Sequence, residues 1–598
     1  MVMTPDLNQV LARHFHFTHF RAGQKEVIEA SLAGEDVLAV MPTGSGKSLC
    51  YQLPALLLPG LTLVISPLVA LMKDQVDNLQ EKDFAQVTLL NSQLRSEEYR
   101  RRMRGIRAGE YKLVYIAPER LRNKFFNELI KEVTVDLLVV DEAHCISQWG
   151  HDFRPDYLWI ETFYQQLERR PSIMALTATA TPAVQRDILE QLGITGARKV
   201  ASGSDRPNLY IAARRVDSEG EKQLALQDFL SQRQGSGIIY TATRKESETV
   251  AEWVRELLRL PADCYHAGLT PARRAMVQDA FINEDISVVA ATNAFGMGID
   301  KANIRFVAHY SLPASLEAYY QEIGRAGRDG LPAECLLLYS LKDKRLQEWM
   351  IDNDAVKRED LAVFWRACAR HVKDGVASVP LAELERDGLA ETKLRQVLSI
   401  LERLQTLRLT DRDEERLYLE PWLRPAPEAV NGALGEVAER IAHRKEKLNT
   451  VINWANTTQC RRTVLLHYFG EEPAGETPFC CDNCRAGALG AVEYSKDPLA
   501  VLACVAELRR GVGRKKLADI LRGAATANMS AFRYDSLIYY RSLAGKSGKT
   551  ILAMIDRLLA DGLLTLSGTE YPVVVLTPLG RQALKKGAPL PVTVKISG

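Results

Sequence analysis

No stretch of this 598-residue chain reaches about 18 uninterrupted apolar residues, the length a membrane-spanning helix needs. The most apolar segment, Tyr51 to Ile65, is broken by Pro54, Pro59 and Gly60. A basic N-terminal region followed by an apolar run is also missing, so no secretory signal is expected. Ten cysteines are too few to staple a chain of this length. Neither sign of charge dominates: 77 Lys and Arg stand against 75 Asp and Glu. A strongly basic nucleic-acid coat protein is thereby disfavoured. Repeats and low-complexity tracts are absent. What remains is a globular chain, 46% hydrophobic and 25% charged, with length for about four domains. A cytoplasmic protein is the expectation.

The average charge hides an asymmetry. Residues 497–598 hold 15 Lys/Arg and 7 Asp/Glu, a net of +8, which leaves −6 for the rest. One end is suited to a polyanion.

From Val37 to about Ser340, short apolar runs alternate with amphipathic stretches. Runs such as Val37–Val40, Leu61–Ile65, Leu137–Val140, Ile173–Leu176, Gly237–Tyr240 and Val288–Ala290 read as buried parallel strands. They are enough for two α/β domains joined near Ser204–Asn208. The strand rhythm then stops. Residues 346–450 read as a helical insert, with Leu394, Val397, Leu398 and Leu401 at helical spacing. A hairpin at Leu407–Thr410 and Leu417–Leu419 would make part of it winged-helix-like. A second, clearer winged-helix pattern spans 497–583, with helices from Leu499, at Lys515–Leu521 and at Lys549–Asp561.

Met41-Pro-Thr-Gly-Ser-Gly-Lys-Ser48 follows the first run. Thr43, Gly44, Ser45 and Gly46 form a loop whose backbone N–H groups can wrap phosphate oxygens. Lys47 is placed to reach the β- and γ-phosphates, and Ser48 to ligate Mg²⁺. The run Leu137–Val140 ends in Asp141 and Glu142. Asp141 is expected to hold Mg²⁺, and Glu142 to polarise the attacking water. ATP and Mg²⁺ are therefore expected. Cys460, Cys480, Cys481 and Cys484 supply four thiolates for a structural Zn²⁺. Three ligands with one buried bystander is the alternative, because Cys480 and Cys481 are adjacent.

Asp141-Glu-Ala-His-Cys-Ile-Ser-Gln-Trp-Gly-His-Asp-Phe-Arg-Pro155 resembles the RecQ family of DNA helicases. So do Phe20-Arg21-x-x-Gln24, Thr177-Ala-Thr-Ala180, Ala291-Thr-Asn-Ala-Phe-Gly-Met-Gly-Ile-Asp300 and Gln321-Glu-Ile-Gly-Arg-Ala-Gly-Arg328. The resemblance implies two RecA-like parallel-sheet domains, 1–205 and 206–345. The 346–450 insert would follow, then a zinc-binding subdomain at 451–490, a winged-helix domain at 491–586 and a tail at 587–598. It implies that Arg21 and Gln24 read the adenine, and that Asp300 serves the nucleotide. It also implies that Arg325 and Arg328, one turn apart on a helix, reach the γ-phosphate from the second domain. Pairing with Glu322 or Asp329 is the plain alternative for Arg325. Trp149, His151, Phe153 and Arg154 have the aromatic-and-cation composition that grips single strands. Arg514, Lys515 and Lys516 are suited to duplex phosphates. Tyr571 either stands at the duplex junction or packs on its own domain.

The expected activity is ATP-dependent 3′-to-5′ DNA unwinding in repair, recombination and replication. The expected partner is DNA, single-stranded and as forked or tailed duplex. A single-stranded-DNA-binding protein is a candidate second partner, and the monomer is the expected state. Placement would be with the nucleoid of a bacterium or in the nucleus of a eukaryote. An RNA helicase or RNP remodeller is one alternative, because Asp-Glu-Ala-His occurs there too. An ATP-switched annealing or fork-binding scaffold is the other.

Overall fold

The computed structural model describes residues 6–67, 69–82, 84–91, 94–150, 152–296, 301–373, 375–412, 415–421, 425–473, 475, 480–489, 493–508, 510–524, 529, 532–560, 562–567, 573–587 and 590–592. The chain divides into two compact units. One comprises 1–209, 216–449 and 466–472, and the other 210–215, 450–465 and 473–598.

Two parallel sheets build the first unit. The first has seven strands in the order Val87–Leu90, Leu113–Ile116, Leu61–Ile65, Val135–Val140, Ser172–Thr177, Val37–Val40 and Arg198–Ala201. Its strands pair in parallel throughout. Val37–Val40, Leu61–Ile65 and Leu113–Ile116 are buried at every position, as a sheet covered on both faces requires. Both Met41 and Asp141 follow directly from the carboxyl ends of such strands. That edge is where open α/β sheets bind ligands. In the second sheet, Ala262–Tyr265, Val288–Ala291, Ser236–Tyr240, Ile304–His309 and Ala333–Tyr339 pair in parallel in that order. The helix Leu316–Ile323 follows it, capped by the Ser315 hydroxyl, which accepts from Ala318 N at 3.2 Å.

The insert is more than helices. Arg358–Arg370, Leu381–Arg386 and Glu391–Arg403 pack on a four-stranded antiparallel sheet. The hairpin pairs Leu407–Arg412 with Arg416–Pro421, and two further strands, Val376–Pro380 and Val372–Lys373, extend it. Leu394, Val397, Leu398 and Leu401 are buried with Phe364, Leu417 and Leu419. Burying each such side chain stabilises the fold by about 1.5–3 kcal/mol. A 29-residue helix, Pro427–Ala455, follows.

In the second unit, helices Asp497–Glu507, Arg514–Arg522 and Gly548–Ala560 precede a hairpin of Leu564–Ser567 and Val573–Leu576. Its core holds Val501, Leu502, Leu517, Leu521, Ile551 and Ile555. This is a winged helix. Among the described residues, no helix is long and apolar enough to cross a membrane.

Candidate functional site

One cavity of about 730 Å³ in the first unit is lined by Arg21, Gln24, Thr43, Gly44, Gly46, Lys47, Ser48, Asp141, Glu142, Gln321, Arg325 and Arg328. Residues from both parallel sheets' domains thus meet at one place. Gly44 (φ +82°) and Gly46 (φ +80°) bend the loop through the left-handed region, which a side chain would strain. A Cβ on Gly46 would lie 2.6 Å from Gln24 Nε2. The helix Leu49–Leu57 begins only after Ser48.

Lys47 Nζ donates to the carbonyls of Met41 (3.1 Å) and Pro42 (3.4 Å). Burial lowers its pKa, and the nearby Glu142 and Asp141 carboxylates oppose that shift. Asp141 Oδ2 accepts from Ser66 Oγ at 3.1 Å, and Oδ1 from Glu142 N at 3.0 Å. Burial, then repulsion by Glu142, pushes the Asp141 carboxyl well above the usual carboxylate range. Two carboxyls so close favour a proton or a cation between them. Glu142 sits at φ +48°, rare for a residue with a side chain, and its buried Oε2 has no hydrogen-bond partner among the described residues. His144 Nδ1 is 3.3 Å from that oxygen but hydrogen-bonds Thr177 Oγ1 at 3.0 Å. Burial brings His144 down to about 4, so at neutral pH the approach is not an ion pair. An orphaned carboxylate oxygen beside Asp141 and Ser48 is the donor set a hard divalent cation and its water require.

Gln24 is tied to the phosphate loop itself. Its Nε2 donates to Ser45 O and Gly46 O, both at 3.0 Å, and its Oε1 accepts from Arg21 N at 2.7 Å. Arg21 Nη1 donates to Gly44 O. These bonds shape the loop. Reading a base edge, as the sequence suggests for the pair, requires the Gln24 amide to exchange them.

Arg325 and Arg328 do not share a helical face. The helix Leu316–Ile323 ends before both, and they stand in the turns that follow. The Gly324-x-x-Gly327 spacing, with Gly327 at φ +57°, breaks the helix. Arg325 is buried and donates to Gly296 O. The carboxylates proposed as its plain partners are engaged elsewhere: Glu322 with His309 at 2.7 Å, and Asp329 with Arg305 at 2.6 Å. Arg328 lies along the phosphate loop, its Cγ 3.1 Å from the position of a Cβ on Gly44. Asp300 lies outside the described residues.

The segment after Glu142 folds back on itself, with Cys145 N donating to Glu142 O (2.8 Å) and Arg154 N to Cys145 O (2.9 Å). Trp149 is 44% exposed and meets the His443 ring edge-on at 5.2 Å. The Arg440 guanidinium lies over Phe153 at 5.4 Å. Arg154 is held by Asp152 (3.1 Å) and by Pro67 O (3.0 Å), so its charge is partly neutralised within the loop. His151 lies outside the described residues.

In the second unit, the Sγ atoms of Cys460, Cys480, Cys481 and Cys484 lie within 4.8 Å of one another. Cys460–Cys480 and Cys480–Cys484 are 3.4 and 3.8 Å apart. Zn–S bonds of about 2.3 Å in a tetrahedron place sulfurs about 3.8 Å apart, so the four thiols fit Zn²⁺. The sharp Cys480–Cys481 backbone is fixed from outside. Ile211 N donates to Cys480 O at 3.1 Å, and Ala213 N to Asp482 Oδ2 at 3.2 Å. Asp482 also takes Arg461 at 2.6 Å.

On the winged helix, Arg514 is paired to Asp556 at 2.5 Å. Lys516 sits over the Tyr534 ring at 5.7 Å, and Lys515 is exposed. Tyr571 lies outside the described residues.

Known proteins match in the same order as these parts. The DEAD/DEAH box helicase family matches residues 21–188 and the helicase conserved C-terminal domain 221–330. RecQ zinc-binding matches 430–485 and the RQC domain 491–597. The ATP-dependent DNA helicase RecQ of Bacillus subtilis (strain 168) is 34% identical over 579 residues, covering 96% of this chain and 83% of that one. Its namesake in Haemophilus influenzae is 36% identical over 595 residues, covering 99% and 81%. The chain belongs to the RecQ family of ATP-dependent DNA helicases. The probable ATP-dependent DNA helicase RecS of Bacillus subtilis is also similar, 37% identical with 80% and 92% covered.

In this RecQ-family chain, several residues around the site carry no motif that a sequence reading could use. Arg206 donates to the carbonyls of Gly324 (3.2 Å), Ala326 (2.7 Å) and Gly327 (2.9 Å), and Asn208 Nδ2 to Gly327 O (2.9 Å). Together they clasp the turn that carries both arginines. Their segment reads in sequence only as a joint between domains. Lys447 and Glu317, and the buried pair Arg122–Glu402, were equally silent.

Proposed function

We propose that this chain converts ATP hydrolysis into 3′-to-5′ movement along one DNA strand and separates the duplex ahead, in repair, recombination and replication. The observation that carries the mechanism is the single cavity in which Lys47, Asp141 and Glu142 face Arg325 and Arg328. The N–H groups around Gly44 and Gly46 cradle phosphate oxygens, and Lys47 leaves its two loop carbonyls for the β/γ-phosphates. Ser48 and Asp141 would hold Mg²⁺, which would supply neutralisation of charge on the transferred phosphoryl group. Glu142 orients the attacking water through Oε2, which takes no hydrogen bond among the described residues. Arg328, lying on the loop, meets the γ-phosphate, and Arg325 fixes the turn. An arginine so placed is worth about 10³–10⁵ in rate. Arg21 and Gln24 sense the base by exchanging their loop bonds.

Trp149, Phe153, Arg154 and His151 contact the translocated strand. Lys515, Lys516 and Tyr571 contact the duplex, and Arg514 joins them by leaving its Asp556 pair; each duplex step costs on average about 1.4 kcal/mol to unstack. Zn²⁺ on the four cysteines is structural. We extend the reading to a monomeric working state, to a single-stranded-DNA-binding protein as partner, and to the nucleoid or the nucleus as location. Family membership favours neither the RNA helicase nor the annealing scaffold. Unwinding of a 3′-tailed DNA duplex, with 5′-tailed and RNA substrates alongside, is the test. Unwinding restricted to 5′ tails, or to RNA, would overturn the proposal.

A further inference from the structure

The two halves of the ATP site are joined away from the nucleotide by one buried cation. Lys447 Nζ donates to Trp149 O at 2.7 Å and to Glu317 Oε1 at 2.6 Å. The Lys447 and Glu317 side chains are 9% and 3% exposed. Tyr468 OH donates to the same Glu317 oxygen at 2.9 Å.

Each end of this link leads into the catalytic machinery. Trp149 belongs to the loop that starts at Glu142 and is closed by the Cys145–Glu142 and Arg154–Cys145 bonds. A shift of the Trp149 carbonyl therefore moves a short, internally bonded segment anchored beside Glu142. Glu317 lies on the helix Leu316–Ile323, after which Arg325 and Arg328 follow within five residues. Glu317 and Gln321 are one turn apart on one face of that helix. Gln321 Nε2 donates to Thr179 Oγ1 in the first domain at 3.2 Å. The helix is thus pinned to the first domain at two successive turns, through Gln321 directly and through Lys447. Lys447 is itself the last of three residues, with Arg440 and His443, that the helix Pro427–Ala455 lays on the loop at spacings of three and four.

We propose that Lys447 is a positioning residue. By holding the Trp149 carbonyl and Glu317 together, it sets the distance between Glu142 in one domain and the Arg325–Arg328 turn in the other. This rests on the proposed roles of those arginines. A merely structural ion pair would give stability alone. A positioning residue gives turnover, because displacement of about 1 Å can cost about 100-fold in rate.

The test is steady-state ATPase of the full chain at saturating single-stranded DNA. Lys447→Met is expected to lower kcat about 10- to 100-fold with KM for ATP within about twofold, since ATP is gripped by other residues. Lys447→Arg, which keeps donors on a long stem, is expected to recover most of kcat. Glu317→Gln, isosteric and neutral, is expected to fall in the same direction, and it decides the matter if Lys447→Met does not fold. Normal kcat in a folded Lys447→Met or Glu317→Gln chain would overturn the proposal. So would a loss carried by KM alone. Arg328→Ala runs alongside. If it retains turnover, the arginine roles fail; if it is inactive while Lys447→Met is normal, only the positioning role fails.

Discussion

Whether Cys481 is a metal ligand or a buried thiol can be decided by one substitution. Structural Zn²⁺ sites contribute about 10–16 kcal/mol of apparent binding energy. Shared among four thiolates, that is about 2.5–4 kcal/mol each, or about 10²–10³-fold in affinity at 1.4 kcal/mol per decade. Cys481 is fully buried, its Sγ accepts from Cys484 N at 3.4 Å, and it lies in the four-thiol cluster. Cys481→Ser is nearly isosteric, so packing changes little. The expected outcome is that Cys481→Ser surrenders zinc at chelator concentrations about 10²–10³-fold below those that strip the unsubstituted chain, as does Cys484→Ser. Zinc per chain, read with a metal-sensitive dye across a chelator series, measures this. ATP binding should persist, because every residue lining the ATP cavity belongs to the other unit. If Cys481→Ser keeps one zinc with unchanged chelator resistance while Cys484→Ser loses it, Cys481 is a bystander.

Three further outcomes follow from the geometry. Lys47→Ala should abolish ATP turnover, and undiminished DNA-stimulated hydrolysis would refute the phosphate-site assignment. Gly44→Ala should cost about 1–2 kcal/mol of backbone strain at φ +82° and displace Arg328, whose Cγ would be 3.1 Å from the new Cβ. Its kcat should therefore fall more than its affinity for ATP, and unaltered kcat at saturating ATP would remove Arg328 from the loop. The pair Lys515→Ala/Lys516→Ala should weaken duplex binding and flatten its salt slope by about 1–2. An unchanged slope in binding titrations at several salt concentrations would move the duplex elsewhere.

The sheets were legible because buried parallel strands write themselves as continuous apolar runs. Val37–Val40 and Leu61–Ile65 coincide with the observed strands, because a continuous apolar run of four or five residues suits a strand covered on both faces. The winged helix at Arg514–Arg522 and Gly548–Ala560 was legible through its amphipathic helices. Arg325 and Arg328 were readable as a pair but not as a geometry. Helical spacing predicts one face, whereas the glycines at 324 and 327 and the carbonyl clasp of Arg206 put them in a turn. That clasp acts across more than a hundred residues of sequence, so no local pattern encodes it. Gln24 is similar: its chemistry suits a base, but its bonds in the fold go to the neighbouring loop.

The insert, three helices on an antiparallel sheet, lacks the charge of a DNA-binding surface. Residues 355–426 carry 13 Lys/Arg and 13 Asp/Glu, against the +8 of the C-terminal region. The cations on its third helix are spent locally: Arg395 on Glu391 (2.9 Å), Lys393 on Asp360 (3.2 Å), and Arg403 on Glu436 (2.5 Å). Phosphate binding needs cations able to neutralise phosphates and displace the counterions condensed on DNA. What the helix does offer is Glu402, almost fully buried against Arg122 of the first domain, which also pairs with Asp156 at 3.1 Å and stacks on Trp159 at 5.1 Å. Removing one partner of such a pair leaves a buried charge and typically costs about 3–5 kcal/mol; the surviving Asp156 contact should hold Glu402→Gln to about 1–3 kcal/mol. The insert is therefore better understood as a brace on the first motor domain. Glu402→Gln should make the insert more open to proteolysis while duplex affinity stays with the basic C-terminal module. A matching loss of duplex affinity in that variant would show the insert gripping DNA after all.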